Sequence, residues 1–77
     1  MSRYFFNIVR SDLSRVPDDE GCEFESYKAA KQEASDSVRD LVCDAFQRGE
    51  NAIGMGIEIT DDSGRILDTI RARLSFG

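Results

Sequence analysis

The sequence predicts an α+β domain of order ββαββ, in which a four-stranded, mostly antiparallel sheet carries one long helix on one face. Two observations predict it. A single stretch, from about 26 to 48, repeats its apolar residues at helical spacing. The segments on either side alternate in period two and are punctuated by aspartate–glycine turns, which is hairpin chemistry. A chain of 77 residues makes one domain, 1–77, with a thin core.

The first strand is expected at about 3–10. Tyr4, Phe6 and Ile8 point one way, and Phe5, Asn7 and Val9 the other. Both faces are largely apolar, which places this strand in the middle of its sheet. A polar connection follows, with the only proline, Pro17, and the acidic turn Asp18-Asp19-Glu20-Gly21. A short second strand, 22–24, has Cys22 and Phe24 on one face.

The helix is the longest element. At about 100° per residue, Tyr27, Ala30, Ala34, Val38, Leu41, Val42 and Ala45 form one apolar stripe. Ser26 is placed to cap its start and Gly49 to end it in the left-handed conformation. Asp36, Asp40 and Asp44, with Glu33 beside them, fall on the opposite face and read as a solvated surface, the alternative being an acidic surface for a basic partner or a divalent cation.

The third strand is expected at about 55–60. Met55, Ile57 and Ile59 alternate with Gly56, Glu58 and Thr60, the pattern of a strand with one wet face. Asp61-Asp62-Ser63-Gly64 is a tight turn with Gly64 at its left-handed position. The last strand is expected at about 65–75. Ile66, Ile70, Ala72, Leu74 and Phe76 share one face, interrupted by Asp68, and Leu67, Thr69, Arg71 and Arg73 share the other. Apolar residues on both faces make it the second candidate for a central strand. The turns ending at Gly21 and Gly64 echo each other, either as a duplicated hairpin or as one turn chemistry used twice.

The composition narrows the chemistry. The formal net charge is −5, which disfavours non-specific binding to nucleic acid or anionic membrane. There is no histidine, and neither Cys22 nor Cys43 belongs to a nucleophile or metal motif. The acidic turns lack the spacing of a calcium loop. The expectation is therefore no enzyme, no catalytic residue, no cofactor and no metal. The two cysteines fall on elements that keep them apart and read as free thiols. With no apolar run of signal or membrane-spanning length, the expected location is the cytoplasm.

Arg3-Tyr4-Phe5-Phe6-Asn7, Asp18-x-x-Gly21, the alanine-bearing helix and Asp61-Asp62-x-Gly64-Arg65 together resemble a family of short alphaproteobacterial proteins, common in rhizobia. That family carries only a domain-of-unknown-function label. The resemblance implies a small bacterial domain and brings no activity with it.

One helix covers one face of a sheet, so the other face is the candidate surface. It is expected to carry Arg3, Phe5, Asn7, Val9, Leu67, Thr69, Arg71 and Arg73. Apolar residues ringed by charge are the composition of a protein interface. The expected function is a protein-interaction module that self-associates through this face as a homo-oligomer, or binds another protein there. The alternative is single-stranded nucleic acid on the same face, with Phe5 stacking a base and Arg3, Arg71 and Arg73 holding phosphates.

Overall fold

The computed structural model describes residues 1–72. Its elements are β1 (Ser2–Val9), β2 (Arg15–Val16), β3 (Cys22–Phe24), α1 (Tyr27–Gln47), β4 (Gly56–Asp61) and β5 (Ile66–Arg71). The α+β class and the helix on one sheet face are as expected. Among the described residues the sheet has five strands and not four, because the two-residue β2 forms inside the predicted polar connection. The expected ends of the last strand, with Arg73 and Leu74, lie outside the described residues.

The helix follows the sequence closely. Ser26 has extended backbone and its Oγ accepts from the Ala29 N–H at 3.1 Å, which fixes the first turn. Gly49 has φ +71, the left-handed conformation that halts the helix. Ala30, Ala34, Val38 and Ala45 are buried, while Glu33, Asp36, Asp40 and Asp44 face water.

All strand pairs are antiparallel, with path β2-β1-β4-β5 and β3 also on β1. β2 and β3 share one edge of β1, opposite Ile8–Val9 and Ser2–Tyr4 respectively. β3, α1 and β4 then form a crossover that passes over β1. The central strands are β1 and β4. β5 is an edge strand among the described residues, which corrects the expectation that it would be central. β4 corrects the expectation of a wet face, since Gly56 through Thr60 are all buried.

The misreading of β5 has a physical cause. The register passes from Ile59↔Asp68 to Thr60↔Ile66, so Leu67 is an extra residue with no partner. Such a bulge breaks strict alternation. Ile66 therefore joins Thr60 on the face away from α1, and Leu67 lines a shallow pocket with Tyr4 and Tyr27 on the helix side. Apolar residues on both faces of this strand reflect the bulge and not burial on both sides.

The core lies between α1 and the sheet. Ala34, Val38, Ile57 and Ile59 form its centre, with Tyr4, Phe6, Tyr27, Leu41 and Ile70 packed around them. The alanines let the helix approach the sheet. Tyr4, Phe6, Phe24 and Tyr27 close one end, with the Phe6 and Phe24 rings stacked at 5.6 Å. Ala45, Ala52 and Met55 close the other.

The two look-alike turns do different work. The turn at Gly64 reverses the chain between β4 and β5, with Asp61 Oδ1 accepting from the Ser63 and Arg65 N–H groups. The turn at Gly21 joins β2 to β3 along one edge of β1 and reverses nothing. The shared letters are shared turn chemistry, not a repeated hairpin.

Candidate functional site

The sheet face away from α1 is built in cross-strand rows. Thr60 stands between Phe5 and Ile66. Glu58 stands between Asn7 and Thr69. Gly56 stands between Val9 and Arg71, with Arg15 beyond Val9 on β2. Arg3 lies opposite Glu23 at the β3 end.

Of the expected residues, the fold brings Arg3, Phe5, Asn7, Val9, Thr69 and Arg71 onto this face. It removes Leu67 through the bulge, and Arg73 lies outside the described residues. Glu58 stands on the same face, as its alternation with Ile57 and Ile59 predicts, and two residues that the sequence pattern did not place there complete it: Arg15 and Ile66.

Its centre is not the exposed apolar patch that was expected. Val9 is buried. The Glu58 side chain is only 10% exposed and pairs with Arg15, whose Nε reaches its Oε2 at 3.2 Å. A carboxylate this covered needs such a partner, because leaving it unpaired costs several kcal/mol, on the order of 3–5. The apolar material still open to solvent is at one end: Phe5 is half-buried and Ile66 is 57% exposed. Gly21 sets the position of Phe5. A Cβ at Gly21 would fall 2.8 Å from the Phe5 ring and 2.9 Å from the Tyr4 carbonyl oxygen.

Both sheet edges are held by aspartates. On the β1 edge away from β4, the stretch between β3 and β2 has no strand partner. There the Phe6 N–H donates to Asp18 Oδ2 at 3.1 Å, and the Asp18 N–H donates to Asn7 Oδ1 at 2.9 Å. Asp18 Oδ1 also accepts from Gly21 and Glu20. Burial pushes its pKa up, but the N–H groups of Gly21, Phe6 and Glu20 outweigh that and hold it below the ordinary carboxylate value. On β5 the Ala72 N–H donates to Met55 O, so by alternation the Thr69 N–H points away from β4. Asp68 Oδ1 takes that N–H at 2.8 Å. Its other oxygen accepts from Lys31 Nζ at 3.1 Å and Tyr27 Oη at 3.2 Å. These contacts, Lys31 first and Thr69 next, lower the Asp68 pKa, while burial and Asp68 raise that of Tyr27.

A family model described as a domain of unknown function, DUF6894, matches residues 3–73. The chain belongs to that family. No curated protein and no solved structure matches the DUF6894 domain described here. Among its described residues no helix is long and apolar enough to cross a membrane. Among the same residues no His, Cys, Asp or Glu side chains are grouped to hold a metal ion. Both cysteines, Cys22 and Cys43, are exposed.

The family assignment brings no chemistry, so the side chains must speak for themselves. Four carboxylates of the turns and edges are occupied. Asp12, Asp18, Asp61 and Asp68 all accept backbone N–H groups. The resemblance read from the opening strand and the two aspartate–glycine turns thus falls on residues that build the fold.

Proposed function

We propose that this DUF6894 domain is a protein-interaction module that pairs with a second copy of itself through the sheet face turned away from α1. The observation that carries this reading is the row Phe5–Thr60–Ile66. It leaves a half-buried phenylalanine and an isoleucine 57% open to solvent on a face with Arg3 and Arg71 on its borders. An aromatic anchor with arginines at its rim is a common interface composition. A two-layer domain with a thin core also gains from covering a bare sheet.

A binding role fits better than a catalytic one. Asp12, Asp18, Asp61 and Asp68 are taken up by backbone N–H groups, and Glu58 by Arg15. The exposed thiols suit a reducing compartment such as the cytoplasm. Single-stranded nucleic acid is the weaker reading of this face. The Arg3 guanidinium is engaged by Glu23 at 3.7 Å and by the Glu20 carbonyl oxygen, and part of the Phe5 ring is against Gly21.

Size-exclusion chromatography with light scattering tests the proposal. The wild type is expected at twice 8.6 kDa at high micromolar concentration. Ile66→Glu is expected at 8.6 kDa with an unchanged circular-dichroism spectrum, because Ile66 is exposed and outside the core. A monomeric wild type, or a dimeric Ile66→Glu, would overturn it.

A further inference from the structure

A second surface lies on the other side of the molecule, beside α1. The helix runs over β4 and leaves a groove of about 430 Å³ between itself and β1. Phe6, Ile8 and Ile57 form its floor, and Leu41, Ser37, Asp40 and Asp44 its helical wall. It continues past Ile8 and Leu41 toward Met55, where Arg48 bridges Asp44 and Glu50. From Ser37 to Arg48 the wall is roughly 16 Å long, which accommodates about three turns of a second helix.

We infer that this groove docks an amphipathic helical segment of another protein, with its apolar row on Phe6, Ile8 and Leu41 and lysines or arginines along α1. Two features select that occupant. The first is charge. Asp40 and Asp44 line the groove, and Asp40 makes no ion pair among the described residues. These carboxylates flank an apolar floor, the arrangement that favours a basic amphipathic ligand. A second copy of this chain is disfavoured, because the net charge is −5 and its own helix would present the same aspartates. The second feature is the closed backbone. The β1 edge beside the groove is taken by β2, β3 and the Asp18 carboxylate on the Phe6 N–H. An extended peptide has no edge to pair with there. The occupant must satisfy its own backbone hydrogen bonds, as a helix does.

The test is fluorescence anisotropy at low salt with a labelled synthetic helix of leucine and lysine, against the full chain. Saturable binding is expected. A leucine–glutamate helix and a serine–lysine peptide of equal charge are expected not to bind. Asp40→Lys should weaken binding by at least about tenfold. Ser37→Trp, which fills the groove without changing charge, should do the same. Asp62→Lys, the same charge change in the β4–β5 turn, should leave binding unchanged. Ile66→Glu should also bind normally, which separates this site from the self-association face. Absence of saturable binding, equal binding of the serine–lysine peptide, or full binding by a folded Ser37→Trp would overturn the inference.

Discussion

Asp18 should be the side chain whose loss costs this domain most for its exposure. Its carboxylate accepts from three backbone N–H groups, those of Phe6, Glu20 and Gly21, at 3.1, 3.2 and 3.0 Å. Glu20 is exposed, so water replaces that contact at little cost. Phe6 and Gly21 are half-buried, and each loses a charged acceptor. A hydrogen bond to a charged group is worth about 1.5–3 kcal/mol, and partial solvent access brings each nearer the low end, so Asp18→Ala should cost about 2–3 kcal/mol. A domain of this length has a total stability on the order of 4–11 kcal/mol, so the loss is a large fraction. Urea unfolding followed by far-ultraviolet circular dichroism measures it. At a slope of about 1 kcal/mol per molar urea, the midpoint should fall by roughly 2–3 M with the slope unchanged. The pH dependence has a definite sign. The folded pKa lies below the unfolded one, so the contribution is complete above the unfolded value of 3.8 and fades as pH falls through the folded value. The gap between wild type and Asp18→Ala should therefore be constant near neutrality and close in acid. A variant within about 0.5 kcal/mol of wild type at neutral pH, or a gap that widens in acid, would refute the assignment of this carboxylate as the edge cap.

Asp68→Ala should lower the urea midpoint less than Asp18→Ala, because the carboxylate is more open to water. It should also free the Thr69 N–H on the β5 edge, so the variant should sediment as larger species in analytical ultracentrifugation at concentrations where Asp18→Ala does not. Among the described residues Leu13 is the non-glycine residue with positive φ, +71, and it is 64% exposed. Leu13→Asn should raise stability by about 1 kcal/mol in the same urea experiment, since asparagine tolerates this conformation and no packed contact is lost.

The local choices were legible in the chain because each rests on neighbours in sequence. Ser26 and Gly49 bound the helix through contacts within a turn of themselves. The stripe from Tyr27 to Ala45 follows from helical geometry alone, and so does the outward row of Asp36, Asp40 and Asp44. The alternation in β1 and β4 identified Tyr4, Phe6, Ile57 and Ile59 as the floor under the helix. The candidate face was partly legible for the same reason, since Phe5, Asn7 and Val9 must oppose that floor.

What the chain could not disclose was anything set by pairing between distant segments. β2 is two residues long and exists because β1 offers an edge. The bulge at Leu67 moves Ile66 to one face and Leu67 to the other, and it is fixed by the register against Thr60 and Ile59. The burial of Glu58 depends on Arg15, 43 residues away. The sequence by itself determined the helix, its two faces and the alternation of the strands, because backbone geometry ties those to residues a few positions apart. Only the tertiary structure decided which strands are central, which face Ile66 occupies and that two aspartates close the sheet edges, because those depend on which backbone groups are left without a partner once the strands have paired.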